Sequence, residues 1–286
     1  RLSFYDPEAQ DQLASPTLVE FAEKNGFYDP AKGPFDFAAA YTRNDERDRI
    51  YNDPRVWQIQ KLFNPSVIQP VDDGREFAVF MKPERKLSVE DAKRVMRDHF
   101  DGSEHDPYSN GLNGKEPWRP VSVFRTYEAH VVQVRPWMPH AIGDVIYIAF
   151  GMADLSCFMP FYQGLESVPE HYQIGTDQAD SASVYWKFRK LQTLVMTNYE
   201  VYAPRVKKAF AEQEQALSAK QAKLEEEYMA LVKTDKEAAT ALLQKVNLEM
   251  LAETEALCEK LTNQVFTLAT ETIQKDIFFA NRSKKD

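Results

Sequence analysis

The spacing of apolar and polar residues divides the chain into regions of different period. The first 65 residues read as short helices with clear punctuation. Ser15-Pro16 supplies a cap and a proline at the first helical position, and Asn25-Gly26 supplies a stop. Asp53-Pro54 repeats the start signal for a helix ending near Phe63, before Asn64-Pro65. Aromatics are dense here, among them Phe21, Phe27, Tyr28, Phe35, Phe37 and Tyr41, and their expected role is packing of a helical layer against a sheet. Glu76–Met81 is apolar enough for a short strand. Ser88-Val89-Glu90-Asp91 caps a helix running to about His99, and the Gly- and Pro-rich stretch 101–115 is a loop.

From Val121 the period changes to two. Alternation through Val134 places large apolar groups on both faces, which predicts a central strand covered on each side. Pro136–Gly143 is a turn, and the continuous apolar run Val145–Phe150 predicts a strand buried on both faces. Ser181–Tyr199 carries a helical stripe of Val184, Tyr185, Phe188, Leu191, Val195 and Tyr199. After Pro204, leucines recur at sevens: Leu217, Leu224 and Leu231, then Leu243, Met250 and Leu257, then Leu261 and Leu268. Thr234-Asp235-Lys236-Glu237 between the first two runs marks a new helix start. These features predict a helical hairpin with arms of about 40 Å, at 1.5 Å per helical residue. It packs either on its own protein or in a subunit interface. The tail Asn281–Asp286 reads as frayed. Strands flanked by helical layers give an α+β sandwich, divided as 1–204 for the sandwich, 205–280 for the hairpin and 281–286 for the tail.

Composition narrows the function. At 286 residues, with 43% hydrophobic and 28% charged residues, the chain can bury a sizeable core. A net charge of −9 argues against a nucleic-acid partner. No apolar run approaches 18 residues, so a membrane span is not expected. Cys157 and Cys258 stand in unlike contexts and read as buried, unreactive thiols rather than a disulfide. His99 and His105, with Asp98, Asp101, Glu104 and Asp106, fit neither zinc nor calcium-loop spacing, so no metal is expected and a solvated or substrate-edge loop is. Phosphate-loop, Gly-x-Ser-x-Gly and His-Glu-x-x-His motifs are absent from the sequence.

Certain pieces recur in a specific order. They are Pro117-Trp118-Arg119-Pro120 running into Val121–Arg135, then Gly151-Met152-Ala153-Asp154, Pro160-Phe161-Tyr162-Gln163-Gly164 and Gly175-Thr176-Asp177. Tyr185-Trp186-Lys187-Phe188-Arg189-Lys190-Leu191-Gln192 follows. In this order and wording the chain resembles the bacterial dipeptidase A family of N-terminal-nucleophile cysteine hydrolases. The resemblance implies a four-layer αββα fold and hydrolysis of dipeptides through a thioester on an N-terminal cysteine, without metal or cofactor. Arg1 is not such a nucleophile, and neither Cys157 nor Cys258 has a free α-amine. The chain is therefore expected to be the C-terminal portion of an enzyme, inert alone and partnered by its missing N-terminal half. A homo-oligomer is also expected, as is a cytoplasmic location, with a secreted or cell-surface one left open.

Candidate site residues follow from the same segments. Arg125, on a face of valines and alanine, reads either as a buried arginine supporting the thiolate or as a structural one paired with Asp154 or Asp177. His130 shares a face with Glu128 and Thr126, and reads either as a polar wall for substrate or as a hydrogen-bonded core histidine. Trp118 stands either beside the cleft or as a lid over the core. Asp177 either meets substrate or bonds backbone donors ahead of a helix. Lys187, Arg189 and Lys190 are expected either on a solvated face or with their stems buried. Two rival readings remain: an amidohydrolase of N-acyl compounds on the same fold, and a non-enzymatic helical interaction module.

Overall fold

The computed structural model describes residues 10, 12–42, 45–71, 77–78, 80–108 and 117–282. The fold divides into two compact units, with the boundary between Lys86 and Leu87.

The first unit holds α1 (Leu18–Lys24), α2 (Phe37–Tyr41), α3 (Asp48–Tyr51) and α4 (Asp53–Phe63). Helix α1 starts later than Ser15-Pro16 suggested, because Ser15 Oγ bonds Thr17 Oγ1 and leaves the helix donors uncapped. It stops as expected where Gly26 turns left-handed at φ 74°. Within this unit the aromatics pack on one another. Phe27 meets Tyr41 edge-on at 6.0 Å and Tyr28 meets Phe35 at 5.2 Å, while Tyr41 donates to Leu18 O at 2.6 Å. Of the strand expected over 76–81, residues 76 and 79 lie outside the described residues, and 77, 78, 80 and 81 form no strand.

The second unit begins with α5 (Val89–Arg97), closed by a reciprocal Ser88–Asp91 capping box. A three-stranded antiparallel sheet follows in the order β1 (Glu128–Val134), β2 (Asp144–Phe150), β3 (Met159–Tyr162), with the short α6 (His140–Gly143) in the β1–β2 connection. Val131 pairs with Tyr147 and Tyr147 with Pro160. Sequence reasoning marked Pro160–Gly164 as a motif but missed β3. Its proline is tolerated because β3 is an edge strand.

Two expectations fail here. The strand starts at Glu128 rather than Val121, and neither β1 nor β2 is covered on both faces. Val145, Tyr147 and Ala149 are buried beneath α5 and the first hairpin arm. The opposite face is covered by Tyr172 and Phe188 at its Phe150 and Phe161 corner. It stays open at Val132, Val134 and Ile146, which are 53%, 63% and 41% exposed.

Helix α7 (Val184–Met196) precedes a hairpin of α8 (Tyr199–Leu231) and α9 (Lys236–Arg282). The single helix expected over 181–199 breaks at Thr197-Asn198, and α8 starts five residues before Pro204. The start signal at 234–237 works through Asp235, whose Oδ1 accepts from Ala238 N at 2.9 Å. Leu217, Leu224, Leu243, Met250 and Leu261 are buried. Polar pins fix the hairpin on the sheet. Arg135 grips Glu225 through two 2.8 Å bonds, Tyr162 OH donates to the same carboxylate, and Asn247 Nδ2 donates to Pro160 O at 2.8 Å. Helix α9 runs to Arg282, so the expected frayed tail is helical at its first two residues, and 283–286 lie outside the described residues. No helix among the described residues is long and apolar enough to cross a membrane.

Candidate functional site

Residues 121–127 alternate like a strand yet form no ladder, because distant parts of the chain already hold their backbone groups. Ser122 N–H donates to Asp98 O at 2.9 Å. Tyr108 OH donates to Ser122 O at 2.8 Å and accepts from Phe124 N–H at 2.9 Å. The Arg189 guanidinium donates to the carbonyls of Phe124 and Thr126 and stacks on Phe124 at 4.7 Å. Backbone satisfied in this way has no need of a sheet partner. Arg189 is 6% exposed, so the buried arginine of this region is Arg189 and not Arg125. That corrects both expectations, since Arg125 is exposed. Asp154 does not pair with it either, because Lys207 Nζ occupies Asp154 Oδ1 at 2.8 Å.

The remaining sequence candidates are dispersed. Trp118 is half-buried and stacks flat on His105, ring centres 3.7 Å apart. Thr126 is half-buried beside Arg125. His130 is exposed and pairs with Glu128 at 3.0 Å, which removes the core-histidine reading. Asp177 is exposed in a loop, and the position ahead of α7 is held by Ser183, whose hydroxyl donates to Ile174 O at 2.9 Å instead of capping the helix. Arg125, Thr126 and His130 follow one another along the segment and β1, whereas no contact joins Asp177 to them among the described residues.

Sequence reasoning missed the cluster below this segment. His99 is 1% exposed. Its Nδ1 lies 2.9 Å from Asp106 Oδ1, and its Nε2 lies 3.0 Å from Tyr199 OH and 3.5 Å from Asp154 Oδ2. Tyr199 OH donates to Asp154 Oδ2. Asp154 N–H donates to Ser122 Oγ at 3.0 Å, which ties the cluster to the segment above. Burial pulls the His99 pKa down, but the Asp106 hydrogen bond and the Asp154 charge outweigh it, so the imidazolium is favoured above its ordinary range. Burial, with the nearby Asp154 charge, holds the Tyr199 phenol well above its usual value. Burial pushes Tyr108 up to about 12. The expected solvated loop is therefore wrong for His99 and Asp106, both buried. His99, Asp101 and Asp106 could offer atoms to a cation, but Lys207 Nζ already lies 3.7 Å from Asp101 and 3.5 Å from His99 Nε2. The signal for the cluster was present in the recurring segment 151–154, though nothing in it named Tyr199 or Lys207 as partners.

Two clefts meet Lys207. One of about 480 Å³ is lined by Asp101, Asp106, Tyr199 and Pro204. The other, about 570 Å³, lies between α5 and α8. Neither holds a thiol. Cys157 and Cys258 are buried as expected, and burial raises both thiols, Cys258 to about 12.

Another pair of motif residues locks the β2 exit. Gly151 sits at φ 73°, and a Cβ there would lie 2.2 Å from Gln192 Oε1. Gln192 in turn accepts from Met152 N–H at 3.0 Å and donates to Phe150 O at 2.9 Å. Gly151 and Gln192 thus belong to one fitted contact.

Residues 1–212 match the sequence profile of peptidase family C69, and the chain belongs to that family. It is 51% identical over 179 residues to a probable dipeptidase of Salmonella dublin, covering 62% of this chain and 40% of that protein. A probable dipeptidase of Latilactobacillus sakei is 29% identical over 218 residues, covering 76% and 44% of the two chains. The dipeptidase A of Lactobacillus helveticus is 30% identical over 159 residues, covering 54% and 33%. The chain thus spans less than half the length of these relatives.

Proposed function

We propose that this chain is the C-terminal portion of a cysteine-type dipeptidase. The observation that carries the proposal is the C69 match over residues 1–212, joined to relatives that are themselves described as dipeptidases. In the proposed reaction, a cysteine at the mature N-terminus of the complete enzyme attacks the peptide carbonyl, with its own α-amine as base. The C–N bond breaks and the C-terminal residue leaves as its protonated amine, after which water hydrolyses the thioester and frees the N-terminal residue. The nucleophile lies outside this chain, a reading supported by the burial of both its thiols. The open sheet face at Val132, Val134 and Ile146 suits a second sheet layer, as a four-layer αββα arrangement requires. Arg125, Thr126, His130 and Trp118 would border the cleft completed in this way, with Arg125 near the thiolate and Asp177 at the periphery. The partner is the remaining polypeptide of the enzyme, and a cytoplasmic homo-oligomer is the assembly we expect.

The test compares three samples on dipeptides and on N-acyl amines. They are this chain alone, the full-length enzyme, and the full-length enzyme after thiol alkylation. The first is expected to be inert, the second active on dipeptides, and the third inactive. Hydrolysis that survives alkylation would remove the thiol mechanism, and preference for N-acyl amines would favour the rival amidohydrolase.

A further inference from the structure

The hydrolytic reading gives no role to Tyr108, yet its hydroxyl holds the backbone that carries Arg125. Residues 123–126 form a β-turn closed by Thr126 N–H, which donates to Val123 O at 2.9 Å, with Phe124 and Arg125 at its central positions. A turn whose tip meets water is ordinarily among the more mobile parts of a fold. This one is held from the inside on both sides of Arg125. The Tyr108 hydroxyl bridges Ser122 O at 2.8 Å and Phe124 N–H at 2.9 Å, so one oxygen fixes the entry to the turn. The Arg189 guanidinium donates to the carbonyls of Phe124 and Thr126 and fixes its exit.

Tyr108 is itself seated by the buried cluster. Its N–H donates to Asp106 Oδ1 at 2.9 Å, and its ring centre lies 5.4 Å from that of His99 and 5.5 Å from that of Tyr199. The cluster therefore reaches the turn by two routes, through Tyr108 and through the bond from Asp154 N–H to Ser122 Oγ. Arg125 is what these bonds leave free. Its side chain is exposed, and neither its backbone nor its guanidinium makes a hydrogen bond among the described residues. Ordering a solvated turn costs conformational entropy, and no contact of Arg125 with its own fold offsets that cost. A guanidinium whose backbone is already ordered is suited to meeting a charge without reorganising first.

We propose that Tyr108 and Arg189 are positioning residues, which fix this turn so that the Arg125 guanidinium is presented to the thiolate of the complete enzyme. The proposal rests on the reading that Arg125 borders the active cleft, and it adds the two residues that set where Arg125 stands.

A double-mutant cycle in the full-length enzyme tests it, run on whichever amide, dipeptide or N-acyl amine, that enzyme hydrolyses. Tyr108→Phe keeps the ring and removes only the oxygen. It should lower kcat about tenfold and change KM by less than about twofold, because a displaced guanidinium weakens the reacting state more than substrate binding. In an Arg125→Ala background, the same substitution should lower kcat by no more than about twofold further, since no guanidinium is left to misplace. Arg189→Lys should repeat the pattern, and it carries the cycle if Tyr108→Phe does not fold. A structural role alone would lower kcat by the same factor in both backgrounds, and that additivity would overturn the proposal. In the 286-residue chain, nitrogen-15 relaxation should find the Arg125 amide as rigid as those of β1 on the nanosecond timescale. A mobile Arg125 amide there overturns the proposal without any assay of activity. An impaired Arg125→Ala enzyme beside an unaffected Tyr108→Phe enzyme sinks the proposal alone, whereas a fully active Arg125→Ala enzyme sinks the underlying reading and the proposal together.

Discussion

The segment Ser122–His130 and the cluster of His99, Asp106, Asp154, Tyr199 and Lys207 use the same residue chemistry, and Ser122 Oγ joins them by accepting from Asp154 N–H. They differ in solvent. In the segment, Arg125 and His130 face water, and the ion pair of His130 with Glu128 is half exposed on both sides. In the cluster, every group is held by at least two neighbours, and His99, Asp106 and Asp154 are buried. Charge in the first place is cheap to change and free to meet a ligand. In the second it is fixed by its partners and governs stability. A site built on this chain is therefore expected to separate function from stability along that line.

The sharpest way to break the comparison is to remove Asp154. Asp154→Ala leaves Lys207 and His99 without their shared carboxylate and Tyr199 without its acceptor. The expected loss is about 3 kcal/mol, toward the lower end for a broken buried pair because Lys207 is partly exposed. Urea unfolding measures it, and a loss within the ordinary range of surface changes would show that the cluster is not a unit.

Arg189→Lys tests the tie between the two regions. A lysine keeps the charge but cannot span the carbonyls of Phe124 and Thr126 together, so about 2 kcal/mol should be lost. Amide exchange should quicken at Phe124, whose N–H bonds Tyr108. Unchanged exchange there would mean that the segment holds itself.

The pH response has a definite sign. The folded pKa of His99 is raised above the 6.5 of a free histidine. Its contribution is thus complete below pH 6.5 and is lost as pH rises through the folded value. For Glu255, burial is outweighed by hydrogen bonds from His171 and Lys187, so its folded pKa lies below 4.5. Its contribution is present above pH 4.5 and is lost as pH falls through the folded value. An NMR titration of His99 with a midpoint below 6.5 would reverse the first statement.

Much of this architecture could be read from the chain, and the failures share a cause. Local signals worked where neighbours in sequence decide the outcome, as at the Ser88–Asp91 capping box, the Gly26 stop and the Asp235 start. The heptad leucines likewise gave the buried stripe of the hairpin. Period-two patterning failed at 121–127 because Tyr108 and Arg189, 14 or more positions away, bind that backbone. The buried arginine was assigned to Arg125 because its immediate neighbours are apolar, whereas burial of Arg189 depends on contacts with a distant loop. The arrangement of His99, Asp154, Tyr199 and Lys207 was invisible for the same reason: a polar cluster assembled from three distant segments has no sequence period.

Arg125→Ala carries the smallest expected effect on stability and for that reason tests the comparison most finely. Arg125 is exposed, and its backbone is held by Arg189 through the carbonyls on either side, so truncating its side chain removes no structural contact found among the described residues. Unfolding free energy should change by no more than about 0.5 kcal/mol. If Arg125 borders the completed active site, the same substitution in the full-length enzyme should lower kcat at least tenfold. Tyr127→Ala, at a neighbouring exposed position, would serve as the control for general disturbance of the segment. A stable variant with impaired kcat would make Arg125 functional. Loss of stability alone would show that water does not separate the two regions, because a residue open to solvent would then be holding the fold.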